Sequence, residues 1–311
     1  MWRTPESGFL KRMRVYLREM YPPTARLGSA TLLAASFTIL LTRIHGLRPA
    51  FLSPWTLLGV WDVFALLLIL RLMDELKDRE IDRALFRERP LPSGRVRESD
   101  IVWSLAAMCV LFLAPNAASR PTLLAAAAVL GYACLMFKYF FAPGYLRVHL
   151  LPNLATHNPI VALMLFQLVV VFSVGSGLSW KEIDWPSVLP AVAMNWAMFL
   201  AWEVSRKIRS REQENAYVTY SQIFGPAGAA AITGAAQTVT LAFGLYYCFK
   251  LGLSPVAIGL MAAGYLLTLA GLARFVLRPG PSTARLRPFA EAYILLVLAA
   301  LTVGGLLARP T

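Results

Sequence analysis

Asp74-Glu75-Leu76-Lys77-Asp78-Arg79-Glu80-Ile81-Asp82 closes a long apolar run, and Arg89-Pro90-Leu91-Pro92-Ser93-Gly94 follows closely. The three aspartates recur every fourth residue. On a continuous helix this spacing lines their carboxylates along one face, drifting about 40° per step. Carboxylates gathered at the edge of an apolar segment repel one another and lose hydration, so the array needs a cation among them. Mg²⁺ carrying a diphosphate meets that need with hard oxygen ligands. Pro90 and Pro92 are expected to end the helix, because proline lacks an amide donor and restricts its predecessor. Ser93-Gly94 then permits a turn.

Outward from this stretch the chain is apolar. It has 311 residues, 58% hydrophobic and 15% charged, against about 25% charged in soluble domains. The apolar runs predict an all-α, multi-pass membrane protein with nine spans, near 27–46, 51–72, 101–118, 121–142, 155–178, 186–204, 224–250, 253–277 and 289–308. The formal charge of +13 invites a nucleic-acid reading, but its placement argues for topology. All basic residues except Arg43, Arg48, Arg120, Lys181, Lys250 and Arg309 fall on one side of the predicted spans. The positive-inside rule puts that side, with the N-terminus, in the cytoplasm and the C-terminus opposite, in the cell (inner) membrane. No nucleic-acid partner is expected.

Residues 1–26 form a basic segment without an apolar signal core. Phe9, Leu10, Met13, Tyr16, Leu17 and Met20 recur at helical spacing among arginines, so the segment reads either as an interfacial helix or as a topology-setting tail. Residues 27–311 read as one membrane domain. Cys109, Cys134 and Cys248 fall inside spans, without disulfide or metal spacing, and read as buried thiols. Asp62 and Glu291 are also intramembrane acids. Pairing with a cavity arginine is one reading of Asp62, and neither acid receives a functional role. The two longest polar stretches, Leu72–Asp100 and Glu203–Tyr220, share the predicted cytoplasmic side.

The order Asp74-Glu75-x-x-Asp78-x-x-x-Asp82, then Arg89-Pro90-Leu91-Pro92-Ser93-Gly94, resembles the UbiA superfamily of intramembrane prenyltransferases. That family reads Asn-Asp-x-x-Asp-x-x-x-Asp, then an Arg-Pro-Leu-Pro-Ser-Gly-like loop. Here Asp74 replaces the asparagine and Glu75 the first aspartate. The family's second motif, Asp-x-x-x-Asp, corresponds to Glu203-Val204-Ser205-Arg206-Lys207. Glu203 stands for the first acid, and Lys207 departs from the second. Lys207 reads either as a contact to diphosphate or as a helical ion pair with Glu203. Glu212 and Glu214 read either as a replacement acid or as a solvated loop. Thr219-Tyr220-Ser221 and Gly225 resemble the family's approach to span seven. Arg147 and Pro152 keep the spacing of its Lys-Arg segment, with Leu146 in the lysine's place. His149 and His157 read as structural rather than as bases.

The resemblance implies a helical bundle around a lipid-accessible cavity with its active site at the cytoplasmic mouth. It implies Mg²⁺ held by Asp74, Asp78, Asp82 and Glu203, which form the expected catalytic set. Lys77, Arg89, Arg95, Lys138, Arg147 and Lys207 are the cations expected around the diphosphate. The implied partners are an isoprenyl diphosphate, a hydrophobic acceptor, aromatic or lipid-precursor, as in quinone biosynthesis, and the lipid bilayer. Trp196, Phe199, Trp202, Tyr132, Phe137 and Tyr139 read either as shields of an allylic cation or as interfacial aromatics. Two alternatives stay open. One is a UbiA-type terpene cyclase without an acceptor, and the other is a non-enzymatic membrane protein or transporter on the same scaffold. The Asp-Gly-x-x-Ala-Arg signature of CDP-alcohol phosphotransferases is absent.

Overall fold

The computed structural model describes residues 8–48, 52–214 and 218–308. Arg3, Arg309 and the start of the second expected span lie outside them. Thirteen α-helices and two short 3₁₀ turns make up the described residues, with no strand among them. The helices are α1 (Phe9–Met20), α2 (Pro23–Ile44), α3 (Pro54–Lys77), α4 (Arg79–Leu85), α5 (Glu98–Asn116), α6 (Arg120–Phe137) and α7 (Pro143–Leu146). Then come α8 (Leu150–His157), α9 (Pro159–Ser176), α10 (Trp185–Ser205), α11 (Tyr220–Lys250), α12 (Pro255–Leu277) and α13 (Arg287–Leu307). Among the described residues, nine segments are long and apolar enough to cross a membrane: α2, α3, α5, α6, Leu150–Ser176, α10, α11, α12 and α13. They coincide with the nine expected spans to within a few residues. Helix starts follow local chemistry. Ser53 caps α3, accepting from the Thr56 amide at 3.1 Å, and Pro54 occupies the first turn, where its missing donor costs nothing.

The chain divides into two compact units. One takes the residues up to Ala34 and from Leu52 to Pro143. Its axis is α3 packed on α5, with α6 against both and α1 against α5. The stripe Met13-Tyr16, with Leu17 and Met20, packs against Leu68, Leu72, Val96 and Ile101, whereas Phe9 and Leu10 stay exposed. Arg12 donates to both oxygens of Asp100, at 2.6 and 2.7 Å, and fastens α1 to the start of α5. Asp62, buried in α3, accepts a hydrogen bond from Asn116 Nδ2 of α5 at 2.7 Å. α5 and α6 are the least enclosed spans, and Trp103, Val110, Leu124 and Leu135 are exposed. The expectation of three buried thiols fails for the same reason. Only Cys248 is buried, Cys109 is half-buried and Cys134 sits on the outward face of α6.

The second unit takes Ala35–Phe51 and everything from Gly144 onward. α10 packs on α11, α11 on α12, and α12 on α13. Between helices in lipid, contact comes from close packing rather than from escape from water, so small residues sit where backbones approach. A Cβ on Gly304 would lie 2.8 Å from that of Ala257, and one on Gly264 would lie 2.9 Å from the Tyr293 ring. Arg43 donates to the carbonyls of Gly305 and Ala308 at 2.8 and 2.9 Å, satisfying the open end of α13. Gly225, at φ 71°, breaks α11 near its start before Pro226.

Candidate active site

In the first unit, α3 ends at Lys77 and α4 begins at Arg79, with Asp78 between them at φ −97°, ψ 13°. The single straight Asp-bearing helix is therefore corrected to two helices meeting at Asp78. Four-residue bonding survives the break. The Asp78 amide donates to Asp74 O and the Asp82 amide to Asp78 O, both at 2.9 Å. α4 also stops at Leu85, before Pro90 and Pro92. The prolines do not end it. Arg89 folds back and grips Asp82 with both contacts from one nitrogen, at 2.7 and 2.8 Å. A continuous helix would hold residues seven apart about 10 Å apart along its axis, so the chain must turn to make this pair. The turn closes through Ser93 N to Arg89 O and Val96 N to Pro90 O, with Gly94 at φ 75°.

The array's carboxylates differ in setting. Asp74 is exposed and Asp78 half-buried, while Asp82 is buried against Arg89. Glu75, in the place of the family's first aspartate, is 1% exposed and pairs with Arg71 one turn back. Asp78 Oδ1 accepts from the Tyr139 hydroxyl at 3.2 Å, and Lys77 Nζ lies 4.3 Å from the centre of that ring. Arg95 pairs with Glu19 of α1 and also donates to Ser93 Oγ and Glu88 O. The guanidinium holds the Glu19 carboxyl below its ordinary range. The contact is therefore present at neutral pH and lost only as pH falls below the ordinary glutamate range. Lys138 is exposed beside Phe137.

Among the described residues, no three acidic, histidine or cysteine side chains form a group that could hold a metal. The donor chemistry nevertheless suits Mg²⁺, which retains several waters and takes one or two carboxylates alongside phosphate oxygens. Asp74 and Asp78 offer such carboxylates on successive turns. Asp82 would join only by exchanging Arg89.

In the second unit, Glu203 near the end of α10 accepts from Arg206 at 2.5 and 2.9 Å and pairs with Lys207 at 3.1 Å. The Arg206 guanidinium lies over the Trp202 ring. Trp202 Nε1 donates to Glu291 at 3.3 Å, and Arg287 donates to the same carboxylate at 2.8 Å. Glu291 thus ties α13 to the end of α10, a link between positions 89 residues apart that no local pattern reveals. Glu214 accepts from the Thr219 and Ser221 hydroxyls at 2.7–2.8 Å and organises the loop before α11. Arg147 is exposed. His149 and His157 each donate a ring nitrogen to the carbonyl four residues back.

No protein-family model and no curated protein sequence matches the chain. Solved structures do. Digeranylgeranylglyceryl phosphate synthase superposes with a TM-score of 0.62 at 18% identity, over 95% of this chain and 99% of that one. A UbiA homologue from Aeropyrum pernix K1 gives 0.64 at 21% identity, over 88% and 96%. A UbiA homologue from Archaeoglobus fulgidus bound to DMAPP and Mg²⁺ gives 0.52 at 17% identity, over 93% and 99%. At such identities the shared property is the fold: the chain has the helical fold of these UbiA homologues, with nine helices among the described residues long and apolar enough to cross a membrane.

Proposed function

We propose that the chain is a Mg²⁺-dependent intramembrane prenyltransferase that moves a prenyl group from an isoprenyl diphosphate to a hydrophobic acceptor and releases diphosphate. The observation that carries this reading is the exposed Asp74 and the half-buried Asp78 at the polar end of a membrane-spanning helix of the UbiA fold, beside Lys77. DMAPP with Mg²⁺ in the Archaeoglobus fulgidus homologue supports the ligand class. Asp74 and Asp78 are the proposed metal ligands, with Asp82 held in reserve by Arg89. When bound, Mg²⁺ would supply positive charge to the diphosphate oxygens as the allylic C–O bond breaks.

The chain's own groups then have separate tasks. Lys77 offers its ammonium to the diphosphate. Arg89 sets the turn that follows α4 by pairing with Asp82. Arg95, braced by Glu19, stiffens the same turn. Glu203, Arg147, Lys138 and Lys207 are assigned on the resemblance of their motifs. The N-terminus is proposed to be cytoplasmic, with the polar loops on that side of the inner membrane.

The test is diphosphate release by the purified protein in detergent with Mg²⁺ and a panel of prenyl diphosphates. Release that depends on an added quinone precursor establishes the transferase. Release without acceptor, with a cyclic hydrocarbon product, replaces it with the cyclase. Lys207→Asp tests the second motif. It sets two acids four residues apart across the end of α10 and removes a cation, so turnover is expected to fall about tenfold. Unchanged or higher turnover would reduce Lys207 to a partner of Glu203.

A further inference from the structure

Tyr139, Phe140 and Phe141 have φ of 50°, 49° and 60°, and they are the non-glycine residues with positive φ among those described. This backbone crowds Cβ against the following carbonyl oxygen, and side chains other than glycine, asparagine and aspartate rarely adopt it. Three aromatic residues in succession do so here. A reversal alone would not need them, since glycine makes it freely, and Gly144 stands three residues further on. The turn closes on itself through Phe141 N to Lys138 O at 2.9 Å and Ala142 N to Tyr139 O at 2.8 Å.

The three side chains fare differently. Phe141 is 78% exposed, and Phe140 stands edge-on to Tyr132. Tyr139 is drawn in to 6% exposure. Its hydroxyl meets Asp78 Oδ1 at 3.2 Å, and its ring face carries Lys77 Nζ at 4.3 Å. One side chain therefore engages the two neighbouring charges of the acidic motif, one by hydrogen bond and one by its π face. Strain kept in a backbone points to a task that the relaxed backbone would fail.

We propose that Tyr139 is a positioning residue for the acidic motif, holding the Asp78 carboxylate and the Lys77 ammonium in the orientation that receives a metal-bound diphosphate. The proposal rests on the prenyl diphosphate reading. With one Asp78 oxygen already oriented, less rearrangement is needed when the ligand arrives. The hydroxyl serves Asp78 and the ring serves Lys77, so the two contributions separate by substitution.

The experiment measures Mn²⁺ binding by the loss of the free-ion paramagnetic resonance signal, with and without inorganic pyrophosphate, on full-length protein in detergent. Wild type, Tyr139→Phe, Tyr139→Leu and Asp78→Asn are compared, with the thermal midpoint as a check on folding. Tyr139→Phe keeps the ring and the volume. It is expected to keep the midpoint and weaken Mn²⁺-pyrophosphate binding about tenfold, as loss of an orienting partner does at other metal sites. Tyr139→Leu is expected to weaken it further by freeing Lys77. In turnover, KM for the prenyl diphosphate should rise more than kcat falls. Wild-type binding that Asp78→Asn abolishes but Tyr139→Phe leaves unchanged would overturn the role of Tyr139 alone. Absence of binding by the wild type would overturn the prenyl diphosphate reading, and this proposal with it.

Discussion

Asp78→Asn is expected to lower Mg²⁺-dependent diphosphate release by at least about a hundredfold while the protein still folds. The asparagine has almost the same shape, and its amide oxygen can still accept from Tyr139. Asp78 is half-buried at the joint between α3 and α4, where a neutral polar side chain keeps access to water. What is lost is the negative charge and one anionic oxygen for the metal. The comparison with Asp82→Asn makes the test specific. Asp82 is turned into the protein and held by Arg89, so its replacement should first loosen the turn at 86–97. Diphosphate release is measured with each variant at saturating Mg²⁺, beside the thermal midpoint. Full activity of Asp78→Asn would remove the basis for the assignment.

Glu75→Ala is expected to be the most destabilising of the substitutions in the acidic stretch, by about 3 kcal/mol. Glu75 is 1% exposed and accepts from Arg71, whose side chain is itself only 27% exposed. Removing the carboxylate leaves a largely enclosed guanidinium without its ion-pair partner, the costly half of a broken pair. Asp74→Ala, one residue away but exposed, should change stability by no more than about 0.5 kcal/mol and act instead on turnover. Unfolding in detergent, followed for both variants with diphosphate release per folded molecule, separates the cases. A stable but inactive Glu75→Ala beside an active Asp74→Ala would reverse the assignment and make Glu75 the metal ligand.

The contrast between these neighbours shows where reading along the chain stops. Motif order alone equates Glu75 with the family's first aspartate and Asp74 with its asparagine. The packing of α3 makes Glu75 the inward residue and Asp74 the exposed one. Spacing by fours cannot reveal this, because it relates Asp74 to Asp78 and Asp82 without saying where that face looks. The helix break at Asp78 was hidden for a similar reason. Nothing in Leu76-Lys77-Asp78-Arg79-Glu80 forbids a helix, and the four-residue bonding on either side of Asp78 persists.

The primary structure determined the all-helical class, the nine apolar spans, and the acidic and Arg-Pro-Leu-Pro-Ser-Gly motifs. These depend on hydropathy and local spacing, which a linear reading contains. Tertiary structure alone decided which acids face outward, that α1 is fastened through Arg12 to Asp100, and that Glu291 supports the end of α10. It also set the strained turn that brings Tyr139 to Asp78 across 61 residues. Such contacts join positions far apart in sequence, and their partners are selected by packing geometry, which no local pattern encodes.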